Sequence, residues 1–331
     1  MNISKIVSLL ENNDIIELGT LAYAKRREIH ANNNIVTFVI DRNINYTNVC
    51  TCKCSFCAFH RDKDAKDAHV LDYETIKAKI DELVAAGGTQ LLLQGGLNPD
   101  LSLEYYTNLL KTIRKDFPDL AIHAFSPSEV DFIAKNNNLS PKELLQEFIN
   151  NGLSSIPGGG AEILHDEIRT KLSPNKISSE KWLSIMQTAH ELGLKTTATM
   201  VFGFGEKYEH IAEHLLKIKN LQAKTGGFTA FIPWTAVPGE ATAHDYLKVL
   251  AVSRLVLDNI PNIQVSWVTQ GLNVAQVALN FGANDFGGTM LEENVVRAAG
   301  CVNNTTASEI VRHIEQAGFR AAQRDTYYRI I

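Results

Sequence analysis

Short apolar segments alternate along the chain with longer segments whose apolar residues recur at helical spacing. The first segment, Ile35 to Ile40, is predicted to be a strand, and the helical segment after it ends at Gly87-Gly88. One face of that helix is formed by Ile76, Ile80, Leu83 and Val84. Further strands are predicted at Gln90 to Gln94, Leu120 to Ala124, Ser154 to Ile156, Thr196 to Phe202, Phe228 to Trp234 and Ile263 to Trp267. One further helix is predicted with Tyr106, Leu109, Leu110, Ile113 and Phe117 facing inward. Three more helices are predicted at residues 178–192, 207–224 and 242–259. Such repeated β-then-α units are typical of a mostly parallel sheet.

Two helix starts are marked by capping residues. Ser140-Pro141-Lys142-Glu143 combines an N-cap serine, a first-turn proline and a capping-box glutamate, and Thr306 with Glu309 repeats the spacing near the C-terminus. These positions predict the starts of two helices.

Seven or eight strands without a proline-, glycine- or serine-rich linker predict one domain, a (β/α) TIM-type barrel. We expect a short helical extension over residues 1–34, the barrel core over 35–290, and C-terminal elements over 291–331 that close the barrel. A doubly wound open sheet is the alternative, because periodicity does not show whether a parallel sheet closes.

Charge and composition narrow the possible functions. In 331 residues, of which 45% are apolar, 32 basic side chains are interspersed with 37 acidic ones, which argues against a nucleic-acid-binding surface. The N-terminal segment lacks the apolar core of a signal peptide, and no 18-residue apolar run predicts a membrane helix. We therefore expect a cytoplasmic protein.

Four of the five cysteines lie between positions 50 and 57, where Cys50, Cys54 and Cys57 have the spacing C-x3-C-x2-C. Thiolates on such a loop can hold an iron-sulfur cube, and three ligands leave one iron free to bind a small molecule. A zinc site is the alternative, but it needs a fourth ligand such as Cys301, His60 or His69. Cys52 is expected to face the other way, and Cys301 is expected to be a buried apolar residue.

This cysteine segment resembles the signature of the radical S-adenosylmethionine (SAM) superfamily. The resemblance implies a barrel in which Cys50, Cys54 and Cys57 hold a 4Fe-4S cluster, with SAM as cofactor and Phe56 near its adenine. It also implies that the reduced cluster cleaves SAM to a 5'-deoxyadenosyl radical, which abstracts hydrogen from the substrate. A reducing partner such as flavodoxin or ferredoxin would supply the electron.

Glycine-containing turns follow several predicted strands, where a barrel collects its ligand-binding loops. By resemblance, the turn Gln94-Gly95-Gly96 receives the amino group of SAM, although the superfamily usually has Gly-Gly-Glu there. By the same resemblance, Glu162 and Arg169 hold the ribose and carboxylate of SAM, and Gly203 lies against the adenine. A solvated ion pair is the alternative for Glu162 and Arg169.

Polar residues at the end of the third predicted strand and just after it form a candidate substrate shell, namely His123, Ser126 and Glu129. Three later blocks, at 231–235, 266–271 and 282–294, look like those of the cyclic dehypoxanthine futalosine synthase family of menaquinone biosynthesis. A departure is Ala236-Val237, where many members have Phe-Gln.

The second resemblance implies a cyclase that converts dehypoxanthine futalosine by hydrogen abstraction and ring closure onto its benzoate. His123, Asp285 and Glu293 are the candidates for the base that removes the ring proton, and Trp234 is expected in the pocket wall. Aminofutalosine synthase and the deazaflavin-forming synthase are the alternatives within the superfamily. A non-catalytic iron-sulfur or zinc protein is the alternative outside it.

Overall fold

The computed structural model describes residues 1–12 and 14–331. Its α-helices are α1 Ile3–Glu11, α2 Ile15–Ile29, α3 Tyr73–Ala85, α4 Leu103–Asp116, α5 Pro127–Asn136, α6 Pro141–Asn150, α7 Asp166–Leu172, α8 Ser179–Glu191, α9 Tyr208–Thr225, α10 Ala243–Val256, α11 Trp267–Gln270, α12 Leu272–Ala278, α13 Val295–Ala298 and α14 Ala307–Gln316. Its strands are β1 Ile35–Val39, β2 Asp41–Asn45, β3 Gln90–Gln94, β4 Ala121–Ala124, β5 Ser155–Ile156, β6 Lys195–Phe202, β7 Phe228–Thr235, β8 Asn262–Ile263, β9 Asp285–Gly288 and β10 Arg320–Gln323.

Seven parallel strands form the main sheet, in the order β2-β3-β4-β5-β6-β7-β8. A second parallel sheet, β10-β1-β9, fills the gap between its two edges. On one side β1 leads into β2 through Ile40, and on the other a bridge joins Gln264 to Asp285 of β9. The strands therefore curl into a (β/α) barrel, and the predicted fold class is confirmed.

The helices cover the outside of the barrel and bury apolar faces against it. In α3 the inward residues are Ile76, Ile80 and Leu83, whereas Val84, which we expected on the same face, is 47% exposed. The N-terminal helices pack on this layer, α2 against α10 and α1 against α9 and α10. Both capping boxes are present, at Ser140 and at Thr306. None of the helices within residues 1–12 and 14–331 is long and apolar enough to cross a membrane.

Two strand predictions differ from the structure. The strand expected at Ile35 to Ile40 is β1, and the chain then continues as β2, which the pattern did not predict. Because the inner face of β2 lines a cavity and not the apolar core, its sequence Asp-Arg-Asn-Ile-Asn lacks the apolar run of a buried parallel strand. The last predicted strand ends at Ile263, and Trp267 begins α11.

Candidate active site

A cavity of about 400 Å³ runs through the barrel. Cys50, Cys54 and Cys57 line it on the loop that follows the carboxyl end of β2. Gln90, at the amino end of β3, lines it together with Arg324 and other residues of the C-terminal segment. The interior thus connects the carboxyl edge of the strands, where barrel enzymes place their active sites, with the amino edge.

The cysteine loop is held by hydrogen bonds to segments that are distant in sequence. The backbone N–H of Thr51 donates to the carbonyl oxygen of Leu97 at 3.0 Å, and that of Ser55 donates to the carbonyl oxygen of Leu172 at 2.9 Å. The N–H of Leu97 lies 3.3 Å from the Cys50 sulfur, to which it donates. These contacts fix the loop with its thiols directed into the cavity.

The prediction that Cys52 faces away from the other three thiols of the loop is wrong. Lys53 has a left-handed backbone conformation with φ 52°, and the Cys52 and Cys54 sulfurs lie 3.5 Å apart in the same cavity. The hydrogen bond between Cys52 and Cys54, together with the ammonium of Lys176, lowers the pKa of the Cys54 thiol to about 6. A low pKa favours the thiolate, the form that binds metal.

The remaining cysteine is not part of this group. Cys301 is half-buried, its thiol donates to the carbonyl oxygen of Val268 at 2.7 Å, and it is not among the described residues that line the cavity. Its predicted role as a buried apolar residue is therefore wrong, and it is not placed to supply a fourth zinc ligand.

The turn Gln94-Gly95-Gly96 packs directly against the cysteine loop. A Cβ atom at Gly96 would collide with the carbonyl oxygen of Val49 and lie 2.8 Å from the Cβ of Cys50. A Cβ at Gly95 would lie 2.5 Å from the ring of Tyr46. Both glycines are thus required by close packing, and all three residues of the turn line the cavity.

Glu129 supports this turn from α5. Its Oε1 accepts hydrogen bonds from the Tyr46 hydroxyl at 2.7 Å and from the Gly95 N–H at 3.0 Å. Burial raises the pKa of Glu129 to about 7 despite these hydrogen bonds. Ser126, the N-cap of α5, accepts from the Glu129 N–H and also lines the cavity.

Glu162 and Arg169 come close to each other, but they occupy different environments. Glu162 lines the cavity and pairs with Lys176 at 2.9 Å. The guanidinium of Arg169 lies 3.5 Å from Glu162 but donates to the backbone carbonyls of Gly160, Ala161 and Ile177, and Arg169 is not among the described cavity-lining residues. Arg169 therefore braces the Glu162 segment, and the residue that accompanies Glu162 in the cavity is Lys176.

Phe56 lines the cavity, and its ring centroid lies 5.3 Å from that of Phe204. Gly203, the residue after β6, donates its N–H to Glu206 at 2.9 Å and is not among the described lining residues. Of the two residues predicted to lie near the adenine, Phe56 therefore reaches the cavity and Gly203 does not.

The three candidate bases have different surroundings. Asp285 is fully buried, forms an ion pair with Arg324 and accepts from the Thr37 hydroxyl at 2.6 Å. It is absent from the described lining residues, so the structure does not place it as a base. His123 lines the cavity, but burial, with a further contribution from Arg324, lowers its pKa to about 3. Glu293 also lines the cavity, and it accepts hydrogen bonds from Asn43 and from the N–H groups of Val295 and Val296.

The apolar part of the cavity wall comes from β6 and β7. Trp234 of β7 lies beside Val201 of β6, and Ile232 lies on the same face of β7 as Trp234. Several other lining residues were missed from the sequence: Asp41, Asn43, Asn45, Gln90, Lys176, Gln264, Arg324, Thr326 and Tyr328. The alternating polar residues of β2 were a usable signal, but Lys176 and Arg324 lack a local motif.

The chain matches the family described as "Radical SAM superfamily" over residues 44–218. The chain belongs to the radical SAM superfamily. Residues 225–331 of this radical SAM enzyme match the family described as "CofH/MqnC C-terminal region".

Two named relatives cover the enzyme over its whole length. It is 46% identical to the cyclic dehypoxanthine futalosine synthase of Halalkalibacterium halodurans, covering 100% of this chain and 91% of that protein. It is 40% identical to a 5-amino-6-(D-ribitylamino)uracil--L-tyrosine 4-hydroxyphenyl transferase of Methanococcus aeolicus, covering 100% and 98%. The crystal structure of methylornithine synthase shares the fold, with a TM-score of 0.74, 19% identity and coverage of 97% and 93%.

The radical SAM family implies a 4Fe-4S cluster and SAM. The site has the chemistry that such a cluster requires, since three free thiols of a C-x3-C-x2-C segment line one cavity and no disulfide joins the cysteines described. The close packing at Gly96 and the N–H donated to the Cys50 sulfur are also suited to holding the loop around a cluster.

Proposed function

We propose that this enzyme converts dehypoxanthine futalosine to cyclic dehypoxanthine futalosine in menaquinone biosynthesis. The observation that carries the proposal is 46% identity over the whole chain to an enzyme of that name. The cavity supports it, because thiols, acceptor side chains and an apolar aromatic surface line one cavity.

We assign the cluster to Cys50, Cys54 and Cys57, and the SAM-binding residues to Phe56, the Gln94-Gly95-Gly96 turn and Glu162. When bound, these two cofactors supply the 5'-deoxyadenosyl radical that abstracts a hydrogen atom from the substrate. Glu129 positions the turn through Gly95, and Lys176 positions Glu162. Arg169 and Gly203, which do not line the cavity, act on the cofactor site only through their neighbours.

The protein's own contribution to cyclisation is mainly positional. The barrel wall holds the ribose-derived part of the substrate next to its benzoate ring and excludes water and other hydrogen donors. Closure onto the aromatic ring leaves one proton and one electron to be lost before aromaticity returns. The 4Fe-4S cluster held by Cys50, Cys54 and Cys57, oxidised when SAM is cleaved, would take back the electron, and the proton needs a base. We assign acceptance of the proton to Glu293, since it lines the cavity, whereas Asp285 is tied to Arg324 and the pKa of His123 is about 3.

A second function has specific support. The Methanococcus aeolicus relative, which is 40% identical over the whole chain, is named as a transferase that acts on 5-amino-6-(D-ribitylamino)uracil and L-tyrosine. A deazaflavin-branch activity is therefore the alternative.

A substrate panel separates these functions. Anaerobically reconstituted, dithionite-reduced enzyme with SAM is given, in separate reactions, dehypoxanthine futalosine, an enolpyruvyl benzoate, or 5-amino-6-(D-ribitylamino)uracil with L-tyrosine, and products are identified by mass spectrometry. The proposal predicts a product lighter than dehypoxanthine futalosine by two hydrogens. A deoxyadenosyl adduct of the benzoate would identify aminofutalosine synthase, and a coupled uracil product would identify the transferase.

A further inference from the structure

The inner face of β2 is polar throughout. Asp41, Asn43 and Asn45 alternate along the strand, so their side chains point the same way, and all three line the cavity. Each is at most 5% exposed. Such side chains are rarely buried without a polar partner.

The hydrogen bonds of the two asparagines fix the orientation of their amides. Asn43 donates its Nδ2 to Glu293 Oε2 at 2.9 Å, and Asn45 donates its Nδ2 to the carbonyl oxygen of Gln94 at 3.3 Å. Because both nitrogens are used, the oxygens are the free atoms. Neither Oδ1 has a hydrogen-bond partner among residues 1–12 and 14–331. Leaving a buried acceptor unpaired is unfavourable, and a ligand that donates a hydrogen bond to it removes that cost.

His123 adds a third polar atom at the level of Asn43. Both residues pair in register with Leu92, which lies between them on β3. The Nδ1 of His123 is buried and, within the part of the chain that the structure describes, also lacks a partner. The strands β2 and β4 thus present unused polar atoms to the cavity on either side of Leu92.

The opposite side of the cavity has a different character. In the strand order, β6 and β7 lie across the barrel from β2, and they contribute Val201, Ile232 and Trp234. Thr197 and Thr199 of β6 also line the cavity, but their hydroxyls are already hydrogen-bonded to the backbone of Gly158. The side of β2 carries acceptor oxygens and the carboxyl groups of Asp41 and Glu293, whereas the charge of Arg324, which also lines the cavity, is paired with Asp285. These groups favour uncharged donors over a bound carboxylate. The cavity therefore distinguishes a hydroxyl-rich ligand end from an aromatic one.

We propose that Asn43 and Asn45 accept hydrogen bonds from hydroxyl groups on the sugar-derived part of the substrate, so that its aromatic part packs against Trp234 and Ile232. The two asparagines act as specificity determinants that orient the target carbon. This inference deepens the proposed function and rests on it for the identity of the substrate.

The test compares affinity for dehypoxanthine futalosine with affinity for analogues that each lack one sugar-derived hydroxyl. Dissociation constants are measured by anaerobic calorimetry on cluster-loaded enzyme with SAM, for the wild type, Asn43→Leu and Asn45→Leu. Thr269→Val is the matched control, because Thr269 lines the cavity but its hydroxyl already pairs with Ser266 at 3.0 Å. Iron content checks that each variant is intact.

The wild type and Thr269→Val should bind the parent compound about tenfold more tightly than each analogue that lacks a hydroxyl bound by Asn43 or Asn45. Each asparagine variant should lose that discrimination for one hydroxyl, so that parent and analogue bind equally. Wild-type discrimination retained in both variants would overturn the inference while leaving the proposed function intact.

If the wild type does not convert dehypoxanthine futalosine, the proposed function fails and the same comparison is made with 5-amino-6-(D-ribitylamino)uracil and its monodeoxy analogues. Discrimination that depends on Asn43 or Asn45 would then support the inference alone. Discrimination that is absent, or that survives in both variants, would overturn the inference as well.

Discussion

Arg324 and Asp285 form a two-point ion pair inside the barrel, with Nε–Oδ2 and Nη2–Oδ1 distances of 2.5 and 3.0 Å. The pair joins the C-terminal segment after β10 to β9, and both side chains are at most 3% exposed. It ties the last residues of the chain to the barrel wall and removes Asp285 from the candidate bases.

Replacing Asp285 with Asn should therefore act on stability. The substitution leaves a buried guanidinium without its counter-charge, so urea unfolding should show a loss of about 3–5 kcal/mol. Molecules that remain folded and cluster-loaded should keep their ratio of product to deoxyadenosine.

Glu293→Gln is the comparison, and it should lower product formation about 100-fold or more while deoxyadenosine is still released. If Asp285→Asn unfolds like the wild type but loses product, Asp285 is the base after all.

The packing of Gly96 predicts that its substitution disturbs the cluster. In Gly96→Ala the new methyl group must displace Val49 and Cys50, so iron should fall from about four per chain toward zero. Gly193→Ala is the control: its φ of 89° strains an alanine, but the new Cβ would meet no described atom within 4 Å, so this variant should lose some stability and keep its iron. Iron analysis and the visible absorption of the cluster measure the effect. Full iron content in Gly96→Ala would show that the turn does not set the position of Cys50.

Cys52 and Cys54 should respond differently to the same substitution. Although the two sulfurs are adjacent, only Cys54 fits the three-cysteine spacing, so Cys54→Ala should abolish both cluster and deoxyadenosine release. Cys52→Ala should keep about four irons per chain and release deoxyadenosine at a rate within a few-fold of the wild type. Loss of iron in Cys52→Ala would mean that the fourth thiol of the loop is a ligand.

Glu129 predicts a pH dependence of stability. Its pKa is raised by burial from 4.5 to about 7, so the folded state holds the proton more tightly than the unfolded state. Its contribution is complete below pH 4.5 and is lost as the pH rises to about 7, by roughly 1–3 kcal/mol. Urea unfolding of the wild type and Glu129→Gln should therefore show a gap that moves in favour of Glu129→Gln between pH 4.5 and 7.5. A gap that stays constant would show that Glu129 does not titrate in this range.

The regular elements could be predicted where one face is buried in the core. β3 has a short apolar run, β6 is rich in β-branched residues and α3 has helical spacing, so these patterns located them. β2 was missed, because a strand that faces a polar cavity lacks the apolar pattern of a buried strand. Periodicity alone also did not show that Val84 lies at the edge of the apolar face of α3, where it is exposed.

The candidate site was predictable where its residues are close in sequence. The three cysteines of the C-x3-C-x2-C segment, the Gln94-Gly95-Gly96 turn and Glu129 all line one cavity. Arg324 and Lys176 reach it through long-range packing, which no local pattern encodes. Asp285 stands in a block rich in glycine and polar residues, and only the arrangement of β9 against the C-terminal segment shows that it is paired.

The most direct test of the account uses dehypoxanthine futalosine deuterated on its ribose-derived ring. Reduced enzyme, SAM and this substrate are incubated anaerobically, and deoxyadenosine and product are analysed together by mass spectrometry. The account predicts deuterium in the deoxyadenosine, and one cyclic product for each deoxyadenosine released. Deoxyadenosine without deuterium, or a product that carries the deoxyadenosyl group, would contradict it.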